Sequence, residues 1–477
     1  MAGKRQETIK VNEERGQPEP QGSTVISLEN LAGEFHCLIG EFSDLFVCHR
    51  KDNTDTAHKY MCGLIQSERS NMERMEEAVP GTDYESLQQF ISNSPWSYRD
   101  VICRVAVKAD ELLGGTGGTA LIIDESGFAK KGKTSVGVAR QWNGRLGWTD
   151  NCQVAVYGAL SSGDRVILID VELFLPKGWT EDAARCLRSG VPETRIENKT
   201  KPELALEIVR RQRELGIRFD YVLADGLYGH SAKFCQMLDD EEELFLMHVH
   251  SDQHVYVEDP RPCVPLRKSA KGRPPTKLKA QTAPIRVAWL MKTVPEDKWE
   301  RVTVRESTEG DLIVDAYQQK VWLWDGEENK AREWVLYIRR DVGTEDVKYC
   351  VANVPEGTPL KTLARMEAQR FRIERGFEDA KGQAGMAEYQ IRGWLAWHHH
   401  MASVMMVMLF MTRHRMLRCD EYPLLSCYDI KVLLTYFLPR RDTAFNEVLR
   451  QMEVRHAKRR AASESKAKRQ LALEPGG

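Results

Sequence analysis

Two apolar runs that each end in an aspartate constrain this chain more than any other feature. One reads Ala120-Leu121-Ile122-Ile123-Asp124, the other Tyr221-Val222-Leu223-Ala224-Asp225. Both read as strands of a sheet core, and an aspartate closing such a strand lies at the rim, where loops open to substrate. The segments around them alternate. Further strands are predicted at Cys152 to Leu160 and Arg165 to Phe174, separated by the turn Ser161-Ser162-Gly163-Asp164 and read as antiparallel neighbours. A helix at Lys201 to Leu215 precedes the second aspartate run. A helix at Ser231 to Leu238 and a strand at Leu244 to His250 follow it. Strands followed by alternating helix and strand predict a mixed α/β sheet, with the two aspartate-bearing strands as possible neighbours.

At 477 residues the chain exceeds one ordinary core, so two or three domains are expected. Residues 1–24 are polar and mixed in charge, and are expected to be disordered. Residues 25–113 have a helical pattern broken at Val79-Pro80-Gly81 and Ser94-Pro95-Trp96. This suits a small helical DNA-binding domain or a plain scaffold. Residues 114–254 form the first part of the α/β core. Residues 255–353 change character: Pro-rich basic loops alternate with strand-like runs, among them Ile285 to Met291, Leu312 to Ala316 and Glu333 to Arg339. This reads as a β-rich insertion. Residues 354–415 return to helix and complete the core. The stretch Trp394 to Arg413 is apolar around most of its surface, and so is expected to be buried. Residues 416–477 read as a helical C-terminal region with a basic tail.

Composition narrows the function classes. No apolar run reaches the ~18 residues of a membrane span, and the polar N-terminus lacks the apolar stretch of a secretory signal. The 11 cysteines are scattered without a CxxC, which suggests reduced thiols and a cytoplasmic protein. The net charge of −2 does not announce nucleic-acid binding. Arg261 to Lys279 and Arg455 to Arg469 are nevertheless locally basic, and either can contact phosphates or be a solvated segment. Gly114-Gly115-Thr116-Gly117-Gly118 is no phosphate loop, because the Lys-Ser/Thr is missing and a strand follows.

A third carboxylate, Glu374, lies downstream in a charged helical stretch. Offsets of +4 and +11 put Arg370, Glu374 and Lys381 on one helix face. Two strand-end aspartates and a helical glutamate can hold a pair of divalent cations, while Arg370 and Lys381 hold phosphate oxygens. A surface helix with salt bridges would share that pattern.

Together these segments resemble the DDE transposases of bacterial insertion sequences, in the IS-four-like group. The spacing Arg370, three residues, Glu374, six residues, Lys381 matches the Arg-Glu-Lys part of that group's signature. Asp124-Glu125-Ser126-Gly127 through Lys133 resembles the family's first-aspartate segment, and Ala224-Asp225-Gly226-Leu227-Tyr228-Gly229 its second. Ser135 to Gln141, Asn151-Cys152-Gln153 and Ile391-Arg392-Gly393-Trp394 are similar to the IS-seven-zero-one branch. The resemblance covers about residues 55 to 412. It implies a ribonuclease-H-like core with flanking helices and a β-rich insertion before the glutamate helix. It also implies two Mg²⁺ or Mn²⁺ ions held by Asp124, Asp225 and Glu374, with Arg370 and Lys381 clamping phosphates. The implied activity is cleavage and strand transfer at terminal inverted repeats of double-stranded DNA, by a homodimer. One position departs from the pattern: Glu367 stands where the signature has a DNA-contacting tyrosine.

Other residues carry weaker readings. Lys130, Lys131 and Lys133 are candidates for DNA-backbone contact or for an ordinary turn. Glu125 is expected to point away from Asp124. His248, His250 and His254 read as sheet histidines near DNA rather than a metal site, and His398-His399-His400 as packing or phosphate contacts. Trp142 and Trp148 bracket a Gly-rich turn and are expected to pack, base stacking being the alternative. Cys152 and Cys235 read as buried thiols. Two rival functions are a domesticated DNA-binding protein that no longer cuts and a glycosidase with paired carboxylates. The second leaves Arg370 and Lys381 on the glutamate's face unexplained.

Overall fold

A computed structural model describes residues 28–471 apart from 145, 267–274, 306–311, 344–345 and 443. The segment expected to be disordered, 1–24, lies outside the described residues, as does the middle of the basic stretch 261–279.

A single large mixed sheet organises the core. Its strands are β1 (Ala120–Ala129), β2 (Ala139–Asn143), β3 (Trp148–Ser162), β4 (Arg165–Leu173), β5 (Tyr221–Ala224) and β6 (Phe245–Val249). Four more follow: β7 (Glu300–Arg305), β8 (Leu312–Leu323), β9 (Arg332–Asp341) and β10 (Val347–Ala352). The order across the sheet is β7-β8-β9-β10-β6-β5-β1-β3-β2, with β4 also paired to β3. β1, β3 and β4 are antiparallel neighbours, whereas β5 runs parallel to both β1 and β6. Three antiparallel strands joined to two parallel ones, with the first strand central, is the ribonuclease-H-like arrangement.

The strands between 300 and 352 continue this sheet. β10 pairs antiparallel with β6, Tyr349 opposite Val249, and β7 to β10 form a meander beyond it. The predicted strand at Ile285 to Met291 is instead a two-residue strand followed by the helix Val287–Thr293. Ala288, Leu290 and Met291 are strong helix formers, and that preference wins over the short apolar run.

Helices cover both faces. Thr200 and Glu203 form a capping box that starts the helix Lys201–Glu214. That helix crosses β3 at Gly158, where an added Cβ would stand 2.7 Å from Ile208 Cγ2, so only glycine lets the two approach. The helix Trp394–Leu417 runs through the interior and packs on β4 and on the helix Tyr98–Leu113. Its histidines join it to the N-terminal helices. His399 stacks on Trp96 at 3.6 Å and its ring nitrogens lie 2.8 Å from the Ile91 and 2.9 Å from the Trp96 carbonyl oxygen, while His400 Nδ1 lies 2.8 Å from the Tyr60 hydroxyl. All three histidines, 398 to 400, are fully buried, so their role is packing. A buried charge cluster makes a second tie. Asp170 and Glu172 on β4 pair with Arg99 from the N-terminal helices and Arg211 from the helix over β3. The basic C-terminal helix Phe445–Leu471 docks through Arg455 to Glu77 and Lys458 to Glu76. Among the described residues, no helix is long and apolar enough to cross a membrane.

Candidate active site

The parallel pairing of β1 and β5 sets two carboxylates side by side. Ile123 lies opposite Ala224, so Asp124 and Asp225 occupy the next register position at the same sheet edge. Asp225 caps the short helix Gly226–Gly229, its Oδ1 accepting from the Leu227 N–H at 3.0 Å. Close packing holds this turn on the sheet: a Cβ at Gly229 would lie 1.9 Å from the His248 carbonyl oxygen. Asp124 is 9% exposed, and its Oδ1 accepts from the Glu125 N–H at 2.7 Å. Burial and the neighbouring charge of Asp225 push the Asp124 carboxyl up to about 7, against the opposing pull of Arg370.

Arg370 links this pair to the third carboxylate. Its Nη1 lies 3.6 Å from Asp124 Oδ2, and its Nη2 donates to Glu374 Oε1 at 2.9 Å. The predicted single helix is two, Leu360–Arg370 and Arg372–Gln383, meeting at Phe371. The break is shallow, because Phe371 keeps helical angles, so the i,i+4 relation of Arg370 and Glu374 survives it. Arg370 is nearly buried whereas Glu374 is exposed. Lys381 lies further along the second helix, its ammonium 5.7 Å from the centres of the Phe128 and Phe377 rings.

The three carboxylates therefore meet as an aspartate pair and a glutamate on opposite sides of one guanidinium. Among the described residues, no three His, Cys, Asp or Glu side chains stand close enough to hold a metal ion. The aspartate pair alone fits a hard divalent cation. Its donors are carboxylate oxygens, which suit a hard cation.

Glu367 is fully buried. It pairs with Arg339 of β9, and His248 Nε2 of β6 lies 3.2 Å from its Oε1. Burial raises its pKa, but His248, Arg339 and Arg370 outweigh that and hold the carboxyl below its usual range. The departure from the signature is thus answered inside the protein. Arg339 had no distinguishing sequence signal, since its strand lies 28 residues upstream. Tyr337 and Asp341, on the same strand, border the same network.

The remaining candidates separate. Lys130 is turned inward, its ammonium 3.4 Å from the centre of the Tyr389 ring, and burial lowers its pKa to about 8. Lys131 and Lys133 are exposed. Glu125 points to the other face of β1, as expected, and pairs with Lys201 at 2.6 Å. Tyr228, from the Asp225 turn, donates to its other oxygen at 3.5 Å. Cys152 and Cys235 are buried. Trp142 and Trp148 are more than half exposed, which overturns the packing expectation.

A family described as DDE superfamily endonuclease matches residues 37–311, a span that includes Asp124 and Asp225 and ends before Glu374. A protein of Microchaete diplosiphon, described as a probable transposase for insertion sequence element IS701, is 31% identical over 207 residues. That match takes in 42% of this chain and 50% of the relative, so the chain spans about half the length of the curated relative. The solved synaptic complex of piggyBac transposase with hairpin DNA aligns with 87% of this chain and 80% of its own. The TM-score of that alignment is 0.39 and the identity 9%. Since the family match takes in more than half of the 477 residues, this chain belongs to the DDE superfamily endonucleases.

Proposed function

We propose that this protein is an insertion-sequence transposase that binds the terminal inverted repeats of its element, cuts there and joins the ends to target DNA. The observation that carries the reading is the Asp124–Asp225 pair, held at the ends of adjacent parallel strands and joined through Arg370 to Glu374. The half-length similarity to a probable IS701 transposase supports it. Asp124 and Asp225 would hold Mg²⁺ or Mn²⁺, with Glu374 as the third ligand of a two-ion site. Such ions activate a water or a 3′-hydroxyl and stabilise the leaving oxygen of an in-line displacement. Arg370 is the group that exchanges partners: a DNA phosphate entering at the rim competes with Glu374 for its guanidinium, freeing that carboxylate as it binds. Lys381, Lys131 and Lys133 would hold flanking phosphates, and Lys130 would brace their loop against Tyr389. Two DNA ends joined in one complex call for a homodimer on DNA, acting in the cytoplasm.

The test is nicking of a supercoiled plasmid that carries the gene with its flanking DNA, with Mg²⁺, with Mn²⁺ and with EDTA. Metal-dependent nicking at the element ends, abolished by Asp124→Ala and by Asp225→Ala, supports the proposal. Nicking that survives either substitution refutes it.

A further inference from the structure

The backbone ladder that joins the two aspartate strands stops one residue short of the aspartates. Its last paired residues are Ile123 of β1 and Ala224 of β5. Beyond that rung the strands part. β1 runs on to Ala129 alongside β3, whereas β5 ends and the chain turns into the helix Gly226–Gly229. The spacing of Asp124 and Asp225 is therefore left to side chains.

Glu125 is the side chain that crosses the gap. It follows Asp124 and lies on the opposite face of β1. Its two oxygens are used separately. Oε2 accepts from the Tyr228 hydroxyl at 3.5 Å, and Oε1 accepts from the Lys201 ammonium at 2.6 Å. Tyr228 belongs to the turn that Asp225 caps, its backbone N–H donating to the Asp225 carbonyl at 3.2 Å. Lys201 opens a helix whose first turn is fixed by the capping box of Thr200 and Glu203. All three groups are withdrawn from solvent: Tyr228 is fully buried, and the Lys201 and Glu125 side chains are 14% and 12% exposed. A buried ion pair adds little stability over well-packed apolar side chains of the same volume. This trio is thus a poor way to stabilise a fold and a specific way to fix a distance.

We infer that Glu125, Tyr228 and Lys201 are positioning residues that set the separation of Asp124 and Asp225 to suit an ion of Mg²⁺ size. None of the three is a ligand. Glu125 and Tyr228 act through the backbone beside each aspartate, and Lys201 acts through Glu125. Mg²⁺ binds oxygen at ~2.0–2.1 Å in a near-ideal octahedron, whereas Ca²⁺ takes about six to eight oxygens at ~2.3–2.6 Å in loose geometry. A rigid aspartate pair discriminates between the two ions, and a pair free to drift does not. Groups that orient metal ligands from behind typically govern affinity by about 10- to 100-fold. The inference rests on the reading of the aspartate pair as a metal site and adds the residues that make it selective.

The experiment titrates the full chain, free of DNA, with Mg²⁺ and separately with Ca²⁺ at pH 8. The apparent affinity for each ion is read by calorimetry and from the rise in melting temperature. Tyr228→Phe is the deciding variant, because it removes one buried hydroxyl and leaves the ring. Glu125→Gln is the second variant, and Asp124→Asn is the control for the site itself. The readout is the ratio of Mg²⁺ to Ca²⁺ affinity, since a general loosening of the fold lowers both alike and leaves that ratio unchanged. Tyr228→Phe and Glu125→Gln should each weaken Mg²⁺ binding about ten-fold or more, and Ca²⁺ binding by about two-fold or less. An unchanged ratio in both variants overturns the inference and leaves the metal reading standing. If the intact chain shows no Mg²⁺ response that Asp124→Asn removes, the metal reading falls and the inference with it.

Discussion

Glu367 and Arg339 form an ion pair inside the protein, with side chains 0% and 7% exposed. They tie the helix that ends in Arg370 to strand β9, and His248 extends the tie to β6. Arg370 sits one helical turn beyond Glu367, so this network fixes the base of the guanidinium that reaches Asp124 and Glu374.

Removing one partner of that pair leaves a buried charge uncompensated. Glu367→Ala and Arg339→Ala are each expected to destabilise the protein by about 3–5 kcal/mol. Glu367→Tyr, which installs the signature residue, should be no better, because a phenol cannot replace the carboxylate charge beside Arg339. An apolar double replacement, Glu367→Met/Arg339→Met, should recover most of the loss. Urea melts of the two alanine variants and of Glu367→Ala/Arg339→Ala give the coupling energy directly. Independent, additive costs would show that the pair does not act as a unit.

Asp124 should make stability depend on pH in a direction opposite to a normal carboxylate. Its pKa is about 7 in the folded protein against an ordinary 3.8, so the fold binds a proton that the unfolded chain has already lost. Stability should therefore fall as pH rises from about 4 to about 7, by up to about 4 kcal/mol. Thermal melts in EDTA between pH 5 and pH 8 should show this decline in the intact protein and a smaller one in Asp124→Asn. Because Mg²⁺ competes with that proton, adding it should stabilise the protein at pH 8 and hardly at pH 5.5. An equal Mg²⁺ effect at both values would argue against binding at Asp124.

The aspartate strands were legible because short apolar runs closed by Asp admit few alternatives. Their parallel adjacency follows from the intervening helix, which supplies the crossover that parallel strands need. The relation of Arg370 to Glu374 was legible because a four-residue offset survives a shallow break at Phe371. The destination of Glu367 was hidden. Its partners Arg339 and His248 come from strands whose pairing is set by tertiary register rather than by local pattern. For the same reason, strands read as an insertion with its own character proved to extend the central sheet through the β6–β10 pairing. Lys130 and Lys131 show the limit most sharply. Neighbours in sequence with the same charge, one packs on Tyr389 and the other faces solvent.

His399 offers a test of packing against phosphate contact. Both ring nitrogens engage backbone carbonyls, Ile91 at 2.8 Å and Trp96 at 2.9 Å, and burial lowers its pKa to about 4. A neutral ring carries one N–H, so one contact is a hydrogen bond and the other an unrelieved approach of lone pairs. His399→Ala should cost about 3–4 kcal/mol through the lost stack on Trp96 and the cavity left behind. His399→Phe should keep the stack and lose less. Neither variant should change the salt slope of DNA binding once melts show it folded. A shallower slope would place His399 at the DNA.

Lys130 separates the loop's brace from its contacts. Its ammonium lies over the Tyr389 ring and 3.5 Å from the Tyr389 carbonyl oxygen, whereas Lys131 and Lys133 are exposed. Tyr389 in turn donates to Gln153 at 2.9 Å and accepts from the Trp397 indole at 3.0 Å, so the lysine presses on a fixed platform. Lys130→Met keeps most of the packing volume and removes the charge. It should therefore leave the salt slope of duplex binding as it is, while loosening the loop enough to expose residues 130–134 to proteolysis. Lys131→Met/Lys133→Met should do the reverse, flattening the slope by about 2 without a change in protease sensitivity. Slopes that fall equally in both variants would return Lys130 to the DNA-facing set.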